Sequence, residues 1–111
     1  MPLDDLFAEY LQAFHTGERN AISSRELETI FRIRGPDLRR CVNRLRCESI
    51  PICSFDYGYY YAETEEELSR TIRQLRSRRT KIARAEYGLC RAQMGFTDTG
   101  QLRLPMEGDD P

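Results

Sequence analysis

Two short apolar stripes at helical spacing meet across Arg34-Gly35-Pro36-Asp37, and that junction restricts the chain more than any other stretch. Leu27, Ile30 and Phe31 make one apolar face before it, and Leu38, Cys41, Val42 and Leu45 make another after it, on one side at about 100° per residue. Proline is tolerated in the first turn of a helix but not inside one, and glycine permits a positive φ. The tetrapeptide therefore ends one short helix and starts the next near Pro36. Along that next helix Pro36, Arg40, Asn43 and Cys47 point away from the apolar side, with Arg39 and Arg44 on the flanks.

Around this pair the other elements are readable from spacing. Leu3, Leu6, Phe7, Tyr10, Leu11 and Phe14 fall on one stripe of a first helix ending near Gly17. Ser23-Ser24-Arg25-Glu26 is a capping box that opens the second helix, and Thr64-Glu65-Glu66-Glu67 is another that opens a long fourth one, its acids suited to the positive end of the helix dipole. Between them Ile52-Cys53-Ser54 and Tyr59-Tyr60-Tyr61 read as two β-strands joined by the loop Phe55-Asp56-Tyr57-Gly58. Tyr57, Tyr59 and Tyr61 alternate along the chain and are expected to close the core over the second and third helices. In the fourth helix Leu68, Ile72, Leu75 and Ile82 form a heptad seam with Arg79 in one slot, extended by Leu89 after Glu86. The periodicity stops near Met94. The expected fold class is mainly α with a small β-hairpin and a long C-terminal helix. It divides into a domain over 1–62, a basic amphipathic helix over 63–94 and an extended or disordered tail over 95–111.

With 111 residues the chain has room for one small domain. No apolar run approaches the ~20 residues of a membrane span, and the acidic start MPLDDLFAEY lacks the basic-then-apolar order of a signal peptide, so a cytoplasmic location is expected. Cys41, Cys47, Cys53 and Cys90 contain no C-x-x-C pair and His15 is the only histidine, which argues for idle or buried thiols over a zinc site or a disulfide. The same lone histidine, with no Gly-rich phosphate loop and with Glu65 to Glu67 engaged in capping, leaves no catalytic constellation and no cofactor site.

The net charge of −1 conceals a strong segregation. Eight Arg and three acids lie between Arg19 and Arg46, and seven Arg with Lys81 against Glu86 alone lie between Arg70 and Arg91. Arg70, Arg73, Lys81 and Arg84 fall opposite the apolar stripe of the fourth helix. Sixteen of the seventeen cations are Arg, the side chain that forks onto phosphates and guanine edges.

Helix, capped helix, tight turn, Arg-rich helix, hairpin and helix form an order that resembles the winged helix-turn-helix family. The residues that carry the likeness are Ile22-Ser23-Ser24-Arg25-Glu26-Leu27, then Gly35-Pro36-Asp37-Leu38-Arg39-Arg40-Cys41-Val42-Asn43-Arg44-Leu45-Arg46, then Ile50-Pro51-Ile52 and Gly58-Tyr59-Tyr60-Tyr61-Ala62. The pattern is similar to the N-terminal domains of biotin-repressor-like proteins and to small phage and prophage DNA-binding proteins. The resemblance implies a sequence-specific reader of double-stranded DNA, a small bacterial or phage regulator whose third helix lies in the major groove. Arg40 and Asn43 would then face base edges, Arg39 and Arg44 bases or phosphates, and Ser23, Ser24 and Arg25 the backbone, where free amides and a hydroxyl suit a phosphate. A homodimer reading two half-sites would pair through Leu68, Ile72, Leu75 and Ile82. No small-molecule ligand is evident. The loop Phe55-Asp56-Tyr57-Gly58 departs from the pattern by carrying an acid and no Lys or Arg, which suits a protein surface better than a minor groove. The alternative reading is thus a winged-helix module for protein–protein contact, or an accessory protein of phage replication or packaging. RNA binding comes third, since no Gly-rich clamp or exposed aromatic platform is apparent.

Overall fold

Asp4 and Asp5 in its first turn place negative charge at the positive end of the first helix, α1 (Leu3–Phe14). Phe7 and Leu11 are its fully buried residues, so the stripe that enters the core is narrower than the six-residue pattern suggested. The structure, a computed structural model, describes residues 2–96, so most of the tail expected over 95–111 lies outside the described residues. After a 3₁₀ turn at Glu18–Asn20 come β1 (Ile22–Ser23), α2 (Ser24–Phe31), α3 (Gly35–Cys47), β2 (Ile52–Phe55), β3 (Gly58–Tyr61) and α4 (Glu65–Gln93). The chain is mainly helical with a small antiparallel sheet and a long C-terminal helix.

Both N-caps form, and the second closes as a reciprocal box. The Ser23 hydroxyl accepts the Glu26 amide at 3.1 Å, and the Thr64 hydroxyl accepts the Glu67 amide at 3.2 Å while Glu67 Oε1 accepts the Thr64 amide at 3.2 Å. The break between α2 and α3 differs in detail from the expectation. The left-handed residue is Arg32, at φ 53°, and Gly35 is instead the first residue of α3. The reason is the way α2 ends: the Ile33 amide reaches back to the Glu28 carbonyl at 3.1 Å and the Ile33 side chain packs on the core, a closure that needs αL directly after the last helical residue. The end of α3 repeats the device. Ser49 sits at φ 69°, its amide bonds the Arg46 carbonyl, and the Ile50 amide bonds the Leu45 carbonyl, both at 3.0 Å.

The sheet has three strands in the order β1-β3-β2, all antiparallel. β1 is two residues long, too short to show any periodicity, and was not expected from sequence. The hairpin turn is Asp56-Tyr57 alone, because Phe55 and Gly58 pair across it, so the loop is shorter than the four residues expected. Gly58 is required where β1 crosses: a Cβ there would fall on the Ile22 carbonyl.

Leu27, Leu38, Cys41, Val42, Leu45 and Ile52 join Phe7, Leu11 and Ile22 in one buried cluster, against which Tyr59 and Tyr61 pack. The third tyrosine of the expected set is not there. Tyr57 lies at the hairpin tip, 86% exposed, and the fully buried ring is Tyr60. Strand alternation explains this: Tyr60 and its cross-strand partner Cys53 occupy the face opposite Ile52 and Tyr61, where the first turn of α4 brings Glu67 near Tyr60. Burial, then the neighbouring Cys53 and acids, pushes the Tyr60 hydroxyl up to about 12.

Glu67 ties α4 to the rest of this unit by also accepting the Glu18 amide at 2.9 Å and the Glu63 amide at 2.7 Å. Burial would raise its carboxyl, but three backbone amides and the Arg70 charge outweigh it and hold the group below the usual range. Through Glu67, Arg70 and Thr71 the first compact unit extends to Arg73, beyond the boundary after residue 62 suggested by sequence. The second unit begins at Gln74 and contains the remainder of α4.

Candidate nucleic-acid interface

α3 is amphipathic in the way its spacing requires. Leu38, Cys41, Val42 and Leu45 are buried, and Arg39, Arg40, Asn43 and Arg44 are exposed around an open hollow that Pro36 completes. Four of the residues assigned to DNA from sequence are thus brought together on one helical wall. Ser23, Ser24 and Arg25 stand at the start of α2, where two backbone amides are already engaged. The Ser24 amide donates to the Tyr57 carbonyl at 2.8 Å, and the Ser23 hydroxyl accepts the Glu26 amide. The expectation of free amides is therefore corrected for Ser24 alone: the Ser23 hydroxyl, as an acceptor of the Glu26 amide, keeps its own O–H to donate, and Arg25 is exposed and makes no ion pair among the described residues.

The arginines of the α3 wall are not equivalent. Arg40 donates to Asp37 one turn earlier at 2.7 Å, an exposed pair of the kind that contributes little and yields readily. Arg44 is held by two bonds to Asp4 of α1, from Nε to Oδ2 at 2.9 Å and from Nη2 to Oδ1 at 3.0 Å. The Arg44 bonds hold the Asp4 carboxyl below its ordinary range, and burial together with Asp4 pushes the neighbouring Cys41 thiol up to about 12. Arg39 makes no ion pair among the described residues. The acid contacts reduce the effective charge of the wall, while Arg39 and Asn43 have no side-chain partner among the described residues.

Three other arginines of the two basic runs, Arg46, Arg70 and Arg19, make contacts within the fold. Arg46 donates to the Ile52 carbonyl at 2.8 Å and to the Ser54 hydroxyl at 2.6 Å, while Thr71 accepts the Ser54 amide at 3.3 Å, so α3 and α4 cover the outer edge of β2. Arg70 pairs with Glu18 at 2.5 Å and Arg19 with Glu63 at 3.9 Å. Sequence spacing put these arginines on basic faces without their partners, because each partner comes from another element.

Two further features bear on binding. The hairpin tip presents Tyr57 and the 42% exposed Phe55 beside Asp56, above a hollow also lined by Glu18, Arg19 and Ser23. In the expected pairing seam, Leu68 and Ile72 belong to the first unit, where Leu68 is half-buried and Ile72 exposed. Leu75 and Ile82, in the second, are both exposed. All four cysteines are free, Cys41 and Cys53 buried and Cys47 and Cys90 exposed, and no group of side chains able to hold a metal ion occurs among the described residues. No helix among the described residues is long and apolar enough to cross a membrane. Comparisons of the chain with protein-family models, curated proteins and solved structures give no match.

Proposed function

We propose that this chain is a small regulator that binds double-stranded DNA, with the α3 wall in the major groove and two copies reading two half-sites. The observation that carries the reading is the division of α3 into an apolar side locked in the core and an opposite side with Arg39, Arg40, Asn43 and Arg44 around an open hollow. A helix anchored on one side and polar on the other can enter a groove about 12 Å wide without exposing its core. Support also comes from the element order, in which a capped helix, a tight turn and the α3 helix precede a hairpin paired with a short strand before α2. Arg39 and Asn43 are the base-edge candidates, Arg to guanine and Asn to adenine, and Arg40 joins them by leaving Asp37.

Selection from a pool of random duplex DNA at two salt concentrations tests the reading. A recovered motif, palindromic for a dimer, with affinity falling steeply as salt rises, supports it. Retention of no duplex at low salt rejects it. A second reading, a protein-docking module, is favoured by the aromatic, acidic hairpin tip, since Tyr57 and Phe55 beside Asp56 suit a protein surface better than phosphates.

A further inference from the structure

We infer that residues 74–93 of α4 pair with the same segment of a second copy in antiparallel orientation, in the register that sets Ile82 of one copy beside Arg79 of the other; this rests on the two-copy reading above. Every residue of this segment is exposed, including Ile82 at 62% and Leu89 at 73%. Leu75, Arg79, Ile82, Glu86 and Leu89 follow one another at heptad spacing and make a single stripe. Most helical stability in proteins comes from packing one face of the helix, so a stripe holding Leu75, Ile82 and Leu89 along an exposed segment calls for a partner surface.

Charge and side-chain size choose the orientation. In a parallel pair Arg79 faces Arg79 and Glu86 faces Glu86, so both charged positions of the stripe oppose their own kind. The antiparallel pair reverses this. The seam is flanked by Arg76 and Arg78 in its first half and by the small residues Ala83, Ala85, Cys90 and Ala92 in its second. With about 1.5 Å of rise per residue, the stated register brings Arg76 beside Ala83 of the second copy and Arg78 beside its Ala85. The apolar stems of the arginines then cover the small side chains. Glu86 of the second copy comes opposite Leu75, between Arg76 and Arg79, so each acid meets cations instead of its own kind.

Disulfide trapping tests the orientation in the full chain carrying Cys47→Ser and Cys90→Ser. A mixture of the Leu75→Cys and Glu86→Cys variants is expected to form a covalent dimer on mild oxidation, while either variant alone does not, because its own thiols lie about eleven residues, or 16 Å, apart along the antiparallel pair. Rapid cross-linking of each variant with itself would overturn the proposal. By sedimentation equilibrium, Glu86→Arg is expected to weaken self-association about tenfold or more, and Arg79→Glu added to it to restore association. A chain that stays monomeric at every concentration, or a swap that does not rescue, also overturns it. DNA affinity measured on the same samples separates the two readings: pairing without DNA binding removes the regulator and leaves the antiparallel pair, and DNA binding by a monomer does the reverse.

Discussion

Arg44 on α3 grips Asp4 on α1 with two parallel bonds of 2.9 and 3.0 Å across forty residues of sequence. The planar guanidinium matches the carboxylate fork, and Asp4 at the start of α1 also benefits from the positive end of that helix. The pair stitches the first helix to the candidate DNA-reading helix and occupies one of its cations.

Removing the acid should therefore release that cation. Asp4→Asn is expected to raise affinity for random duplex DNA by about threefold to tenfold and to steepen the dependence of log K on log salt by about one unit. Fluorescence anisotropy of a labelled duplex across a salt series measures both, and unchanged or weaker binding would show that Arg44 does not meet phosphate.

Base reading is expected to concentrate on Arg39 and Asn43, joined by Arg40 as it leaves its exposed pair with Asp37. Arg39→Ala, Asn43→Ala and Arg40→Ala should each cost about 1–3 kcal/mol on a selected site and much less on random duplex. Arg46→Ala should instead leave DNA preference intact and lower stability by about 1–3 kcal/mol, because its bonds to the Ile52 carbonyl and Ser54 hydroxyl brace β2. Equal losses on selected and random DNA for all three wall variants would remove α3 as the reader.

The backbone offers an independent check of the fold. Ser49 and Arg32 adopt left-handed conformations at helix ends, so Ser49→Gly and Arg32→Gly should each stabilise by about 0.5–1 kcal/mol. Gly17 sits at φ 89° and ψ 148°, a region reserved for glycine, and a Cβ would press on the Glu63 carboxylate. Gly17→Ala should destabilise by about 1–3 kcal/mol. Urea unfolding of the three variants tests these signs together.

Acid should unfold the protein through Asp4 and Glu67. Both carboxyls are held below their ordinary values of 3.8 and 4.5, so their stabilisation is fully present above those values and is lost as pH falls through the lower folded ones. Asp4→Asn with Glu67→Gln should be less stable at neutral pH and lose less on acidification, as read by urea midpoints between neutrality and pH 3. At the other extreme Tyr60 and Cys41, ordinarily near 10.0 and 9.0, are pushed up to about 12. Their stabilisation is present below the ordinary values and is lost as pH rises through the folded ones, so alkaline unfolding should begin above about pH 9.

What local pattern encodes was legible in the chain alone. The helix stripes, the two capping sites, the hairpin and the outward set Arg39, Arg40, Asn43 and Arg44 follow from periods of 3.6 and 2 and from capping chemistry, which act over a few residues. Tertiary structure decided which cations are free. Asp4 claims Arg44, Glu18 claims Arg70, and the edge of β2 claims Arg46, in each case between segments whose separation in sequence carries no periodic signal. It also decided that Tyr60, and not Tyr57, is buried, because a sheet covered on both faces hides alternate residues on each and leaves the turn outside. Local spacing sets the direction of a side chain relative to its own element; only packing sets what that side chain meets.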